Sequence, residues 1–408
     1  CGQDHDSDDH GRRRDHRAGA QAQIWTGHEY HNTKFFIGSV KMNHFAKRRQ
    51  KLVQLMTAQH LDAIAVVPGA NFVYLSGLHF HLMERPTLLF VAANGDVMGI
   101  VPELERTKWS ETFPDATTFY WQDSNGFETA FSDAARTLGA TKIGVEEQRM
   151  RFFEADALQQ HFGQNAIAKG GSVLDALRVS KDSAEIKSTE RAIKISETAL
   201  AETIAEVRTG MSERAICNLL KMLMLANGAE GFAFDPIVLA GGKAANPHGS
   251  PDETPLMAGD PLLIDFGASF EGYNADITRT FFCEHASDEH AAIYETVLAA
   301  NTKGREIAGP SLSAHDLDLA VTDVLGKSAY GDMILHKTGH GLGLDVHEAP
   351  QVMIGNHARL VPGTLLTIEP GLYRANDIGV RIEDDVLIDE QGSRSLTHFD
   401  RDLRSIGG

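Results

Sequence analysis

One stretch constrains this chain more than any other: Pro261 to Arg279, reading PLLIDFGASFEGYNADITR. Pro261–Ile264 is an apolar run that ends on Asp265. Ser269–Gly272 supplies turn residues, and Tyr273–Phe282 runs back with Asp276 inside it. With the loop at Ser269–Gly272, the spacing predicts a hairpin in which Asp265 and Asp276 pair directly across, on one face of the sheet. Facing carboxylates repel unless something cationic lies between them. Two solvated acids near a turn need no such cation, but Asp265 closes a run that reads as fully buried. A buried acid pair asks for a metal or a shared proton.

Three later stretches supply what a metal site still needs. They are HKTGHGLGLDVHE (His336–Glu348), TLLTIEPGLY (Thr364–Tyr373) and GVRIEDD (Gly379–Asp385). Singly, each is ordinary: a lone Glu in a strand is usually a solvated edge charge, and a lone His a satisfied polar group. Glu369, however, follows the apolar run Leu365–Ile368, and Glu383 lies in the alternating VRIEDDVLI. A short loop around Asn376 predicts a second hairpin with Glu369 opposite Glu383. One imidazole and four carboxylates then converge. Such a hard, oxygen-rich set suits two divalent first-row ions better than a structural zinc, which prefers sulfur and nitrogen.

The order Asp265, Asp276, His340, Glu369, Glu383, with its flanking IDFG, ADITRT, GHGLGL, VHE, TIEPG and GVRIEDD, resembles the five-ligand signature of the dinuclear pita-bread metallopeptidases. That family includes the Xaa-Pro dipeptidases (prolidases), aminopeptidase P and methionine aminopeptidase. The resemblance runs from about Met42 onward, and five ordered ligands with their flanks are a specific match.

The chain has 408 residues, enough for two domains, and is 42% hydrophobic and 23% charged, as expected of a globular protein. Its net charge of −18 argues against nucleic acid or an anionic membrane as partner, and no apolar run is long enough to span a bilayer. Cys1, Cys217 and Cys283 are far apart and lack metal-type spacing, which points to free thiols in a reducing, cytoplasmic compartment. Residues 1–41 are polar, His-rich and without hydrophobic periodicity, so they are expected to be a disordered extension. The reading is a tag-like or mis-translated segment with Met42 as the true start; the alternative is a mature lipoprotein beginning at Cys1. The histidines there (His5, His10, His16) are not counted as a site.

From residue 42 to 178, helical and strand patterns alternate. Asn43–His60 is helical; Leu61–Val67, Thr87–Ala92, Val97–Val101, Thr117–Tyr120 and Lys142–Val145 read as strands; Glu128–Leu138 and Phe152–His161 read as helices. This predicts an α/β domain with a mixed sheet. Its NFVYLSGL resembles the amino-terminal creatinase/prolidase-like domain of the prolidase and aminopeptidase P branch, which methionine aminopeptidases usually lack. After a boundary near Leu177–Asp182, helices over Ala184–Val207 and from Ser212 to Asn227-Gly228 precede the strands. With Glu289–Lys303 and Ala314–Leu325 they predict an α+β domain over residues 183–404, which the resemblance implies is a pita-bread catalytic domain.

The resemblance further implies roles. Asp276 and Glu383 would bridge two divalent ions, Asp265 would complete one, and His340 with Glu369 the other. Manganese is the first choice, with cobalt, iron and zinc also fitting the donors. The ions lower the pKa of a shared water, and Glu369 accepts and relays its proton. His347 bonds the oxyanion or the substrate, while His336 and His248 line the pocket. Arg381, two residues before Glu383 on an alternating strand, is either an ion-pair partner of a ligand acid or a substrate contact. The implied partner is a small peptide, the implied assembly a homodimer, and the implied reaction hydrolysis of Xaa-Pro bonds, as an Xaa-Pro dipeptidase or an aminopeptidase P on longer peptides. A small-molecule hydrolase or lyase, and a non-catalytic binding module, are the other uses of such a fold. The presence of all five ligands weighs against the module and against metal-free relatives.

Overall fold

The computed structural model describes residues 31–408, with side chains from residue 44. It divides into the units Cys1–His44 and Phe45–Gly408, and the second carries every sheet described here. The disordered extension expected over residues 1–41 lies outside the described residues as far as residue 30. From His31 the backbone is helical, in a helix that runs His31–Ala58.

A six-stranded mixed sheet forms the amino-terminal part, with strand order Thr117–Trp121, Val97–Pro102, Leu88–Ala92, Ala63–Val66, Ile143–Val145, Ile167–Lys169. Ala63–Val66 runs antiparallel to Leu88–Ala92 and parallel to Ile143–Val145. Its side chains alternate between two cores, as a strand buried on both faces requires. Ile64 and Val66 pack with Leu52, Phe72, Trp109 and Leu174 on one side; Ala65 and Val67 pack with Phe131, Ala134 and Leu158 on the other.

The helix Gly171–Arg178 ends this part, and Ser183–Glu206 opens the next. Asp182 caps the second helix by accepting from the amides of Ala184 and Glu185, while Glu185 returns a bond to the Asp182 amide. This reciprocal pair satisfies amides that a helix start leaves orphaned. Ser212, Ser287 and Ser313 cap Glu213–Ala226, Asp288–Ile307 and Ala314–Gly326. The four helices cover the strands in two groups. Ile193, Leu200 and Leu220 pack on Leu262, Ile264, Leu365 and Leu387. Val297, Leu317 and Val321 pack on Leu366, Ile368, Val380 and Val386. Adjacent residues Leu365 and Leu366 thus serve opposite cores, and the polar residues of the site lie where the strands between these cores meet.

Candidate metal centre

The first hairpin differs from its expected register. Pro261–Phe266 is buried throughout and pairs antiparallel with Ile277–Cys283, but Asp265 faces Thr278, not Asp276. The reason is the turn. Phe270 pairs with Tyr273, and only Glu271 and Gly272 lie between them, at φ 50° and 79°. Two central residues with positive φ form the tight turn that suits strand twist, whereas a four-residue loop at Ser269–Gly272 was expected. The pairing moves by two residues, so its parity survives. Asp276 becomes a diagonal neighbour of Asp265 on the same face. Gly267 allows the approach, because a Cβ there would lie 1.7 Å from the Ala275 carbonyl oxygen.

In the second hairpin Gly371 pairs with Arg381 around a turn with Asn376 at φ 60°. Ile368 pairs with Asp384 in the same register, which leaves Glu369 opposite Glu383, as expected. The strand Gly339–Gly341 inserts His340 between these elements and is bonded to both Glu348–Val352 and Leu365–Ile368. His340 Nδ1 lies 3.1 Å from the Gly341 carbonyl, an acceptor, so Nδ1 carries the proton. Nε2 is left facing Glu369 at 3.3 Å and Asp276 at 3.6 Å.

Ligand atoms converge in three groups, each within 4.8 Å: Asp265, Asp276 and Glu383; His340, Glu369 and Glu383; and Asp276, His340 and His347. All five residues expected as ligands are therefore together. His347, expected to serve substrate, sets its ring 3.9 Å from that of His340, tilted by 44°, and is exposed on the cavity side.

The electrostatics ask for cations. Burial, then Glu383 and Asp265, holds the Asp276 carboxyl well above the usual range. Burial, then Glu369 and Asp265, does the same to Glu383. Burial with the Asp265 charge pushes Glu369 up to about 7 against the pull of Arg381. Burial, then His347, takes His340 down to about 3, so its imidazole is neutral and its Nε2 free to act as a donor to a metal. Asp265 Oδ1 is buried with no hydrogen-bond partner. An orphaned carboxylate oxygen beside three more acids and a neutral imidazole fits a pair of hard divalent ions.

Arg381 lies at the wall of this cluster. Its Nη2 is 2.5 Å from Asp265 Oδ2, Nη1 donates to the Tyr373 hydroxyl at 2.8 Å and Nε to Thr278 Oγ1 at 3.0 Å. These bonds are those of an ion-pair partner for Asp265, one of the converging acids. The Tyr373 hydroxyl also bonds His336 Nε2 at 2.8 Å, while His336 Nδ1 bonds the Lys337 carbonyl. Burial lowers the His336 pKa to about 4, so Nε2 accepts and Tyr373 donates. His248 is exposed on its loop and joins His336, His347 and Lys337 around a cavity of about 650 Å3 that contains the five converging residues. A second cavity of about 660 Å3, lined by Glu146, Arg149, Arg178 and Asp345, adjoins it through Val346 and His347.

Residues not singled out in the sequence complete the frame. Thr278 Oγ1 donates to Glu383 at 2.6 Å. Thr367 Oγ1 accepts from the His340 amide at 3.1 Å and lies 3.3 Å from Glu369. Asp385 accepts from the Asp276 amide at 3.2 Å. Each stands two residues from one of the five converging residues, so the alternation that selected Arg381 also selects them. Asn301, on a distant helix, bonds the carbonyls of Ile368 and Ile382 and the Asp384 carboxylate; nothing local marks it.

Comparison with known proteins gives the same architecture. Metallopeptidase family M24 matches residues 187–390, and the Creatinase/Prolidase N-terminal domain matches residues 48–180. The chain belongs to metallopeptidase family M24. Like its relatives it joins a creatinase-type amino-terminal domain to a pita-bread catalytic domain. The Xaa-Pro dipeptidase of Pyrococcus horikoshii is 32% identical over 87% of this chain and 97% of its own length. The structure of an Xaa-Pro dipeptidase from Bacillus anthracis matches with TM-score 0.82 and 27% identity, covering 89% of this chain and all of that one. An X-Pro aminopeptidase from Thermotoga maritima matches with TM-score 0.77 and 30% identity, covering 88% and 99%. This M24 chain is a metallopeptidase, and its family implies divalent metals. Among its described residues, no helix is long and apolar enough to cross a membrane, and Cys217 and Cys283 are free. Cys1 lies outside the described residues.

Proposed function

We propose that this metallopeptidase is an Xaa-Pro dipeptidase with two divalent ions held by Asp265, Asp276, His340, Glu369 and Glu383. The observation that carries the reading is the convergence of four acids and one neutral imidazole at a cavity whose wall also includes Phe234, Ile237, Pro247 and Met353. Apolar walls of this kind suit a proline ring. When bound, the ions supply Lewis acidity and an acidified water. Glu369, half-buried at the cavity edge, accepts the proton from the attacking water and passes it to the leaving nitrogen. His347 donates to the carbonyl oxygen as charge develops. His336 holds Tyr373, which with Asp265 fixes the Arg381 guanidinium. His248 closes the substrate side, where Arg381 also lies at the wall.

Manganese is the proposed metal, from the hard donor set. The homodimer rests on the resemblance, and the cytoplasmic setting on the free thiols. The proposed domain limits are residues 42–178 and 183–404, separated by the link between the helices ending at Arg178 and starting at Ser183. The adjoining cavity favours a second reading, an aminopeptidase P taking longer peptides. A small-molecule hydrolase or lyase on the same fold is the third. The test is a substrate panel on metal-reconstituted protein: Xaa-Pro dipeptides, longer Xaa-Pro peptides, non-proline dipeptides and small osmolytes. Turnover of Xaa-Pro dipeptides above all others is expected. Turnover of longer peptides or of osmolytes alone overturns it.

A further inference from the structure

The cavity wall carries two basic side chains, Arg381 and Lys337. The first is committed, because each of its three guanidinium nitrogens donates a bond, to Thr278, Tyr373 and Asp265. Lys337 is not. Its half-buried ammonium donates to the side-chain carbonyl of Gln351, a neutral acceptor. Among the described residues it pairs with no carboxylate, in a site where acids are abundant.

The backbone that carries Lys337 is held firmly. Its carbonyl bonds His336 Nδ1, the Thr338 amide donates to Asp318 at 2.8 Å, and the Thr338 carbonyl accepts from the Glu369 amide at 2.8 Å. The stem of Lys337 therefore starts three residues before His340, at a set distance from the metal ligands. A half-buried ammonium that bonds a neutral amide has formed no ion pair among the described residues. A carboxylate arriving at the wall would exchange a neutral bond for a charge-assisted one.

We infer that Lys337 is the anchor for the terminal carboxylate of a two-residue substrate, and so the residue that selects dipeptides over longer peptides. The inference rests on the proposed Xaa-Pro peptidase reading. A compact ammonium suits capture of one carboxylate by point charge. The internal amide at the same place in a longer peptide has no charge to offer, and the bond to Gln351 then stays as it is. Selectivity thus comes from one added ion pair on a wall shared by both peptides.

The test compares alanyl-proline with alanyl-prolinamide, which differ only in that carboxylate, on metal-loaded wild type, Lys337→Met and Lys337→Arg. Lys337→Met is expected to lose about 10- to 100-fold in kcat/KM on alanyl-proline, mostly through KM, and about twofold or less on the amide. Lys337→Arg is expected to recover most of the loss, because the cation returns. Calorimetric titration with free proline and with prolinamide gives a readout without turnover: Lys337→Met weakens proline and leaves prolinamide unchanged. Equal loss on both peptides, or equal binding of proline by wild type and Lys337→Met, overturns the assignment. Failure of wild type to cleave either peptide overturns the peptidase reading instead, while the calorimetry still decides whether Lys337 holds a carboxylate.

Discussion

Glu348→Gln probes the charge cluster that ties the amino-terminal part to the segment bearing His347. Glu348 is buried and bonds Arg178, Lys181 at 3.0 Å and the Asp345 amide at 3.0 Å. Arg178 also pairs with Asp345 at 3.0 Å, and Arg149 reaches Asp345 at 3.1 Å. Burial alone would raise the Glu348 pKa; Lys181 and Arg178 outweigh it and bring the carboxyl down to about 2, from an ordinary 4.5. That gap corresponds to about 3 kcal/mol of folded-state stability at neutral pH. Replacing the acid by its amide leaves two buried cations without it, for which about 3–5 kcal/mol is the usual scale. In a unit of this size, such a loss lowers Tm by about 4–6 °C. The folded pKa is depressed, so the contribution is fully present above 4.5 and is lost as pH falls toward about 2. Thermal unfolding of both proteins should therefore differ by a constant amount from pH 7 to about pH 5, and by progressively less below it. A Tm difference under about 1 °C at pH 7 refutes the reasoning, as does one that persists undiminished to about pH 3.

Chelation should abolish activity and a first-row divalent ion restore it; full turnover by demonstrably metal-free protein contradicts the centre. His340→Ala and Glu369→Gln should each lower metal content along with rate. His347→Ala should keep its metals and lose about 10²–10³ in rate, the scale of one transition-state donor. Metal analysis beside kinetics checks this, and His347→Ala losing metal while His340→Ala keeps it reverses the assignment. Gly267→Ala drives a methyl group into the Ala275 carbonyl beside Asp276. It is expected to cost about 1–3 kcal/mol and to reduce metal content; an unchanged urea midpoint at full occupancy speaks against the close approach. A chain beginning at Met42 should keep fold and turnover, measured by circular dichroism and peptide hydrolysis; loss of either assigns work to the polar extension.

Much of the site was legible because its signals are local. Alternation puts Arg381, Glu383 and Asp385 on one face, a serine or aspartate before an apolar-periodic run marks a helix start, and apolar runs ending on Asp265 and Glu369 mark acids at the rim of a core. The helix Glu128–Leu138 and the pairing of Glu369 with Glu383 follow from such signals. The partner of Asp265 did not, because it depends on the dihedral angles of Glu271 and Gly272. A turn of different length changes the partner while preserving the face. Tertiary structure alone decided which charges neutralise one another. Glu348 finds Arg178 and Lys181 across the link between the two parts, Arg381 is claimed by Asp265, and Lys337 pairs with no acid among the described residues. Sequence specifies the kind of group at each position. Only the packed chain determines how far apart the groups stand, and Coulomb energy and desolvation depend on that distance and on burial.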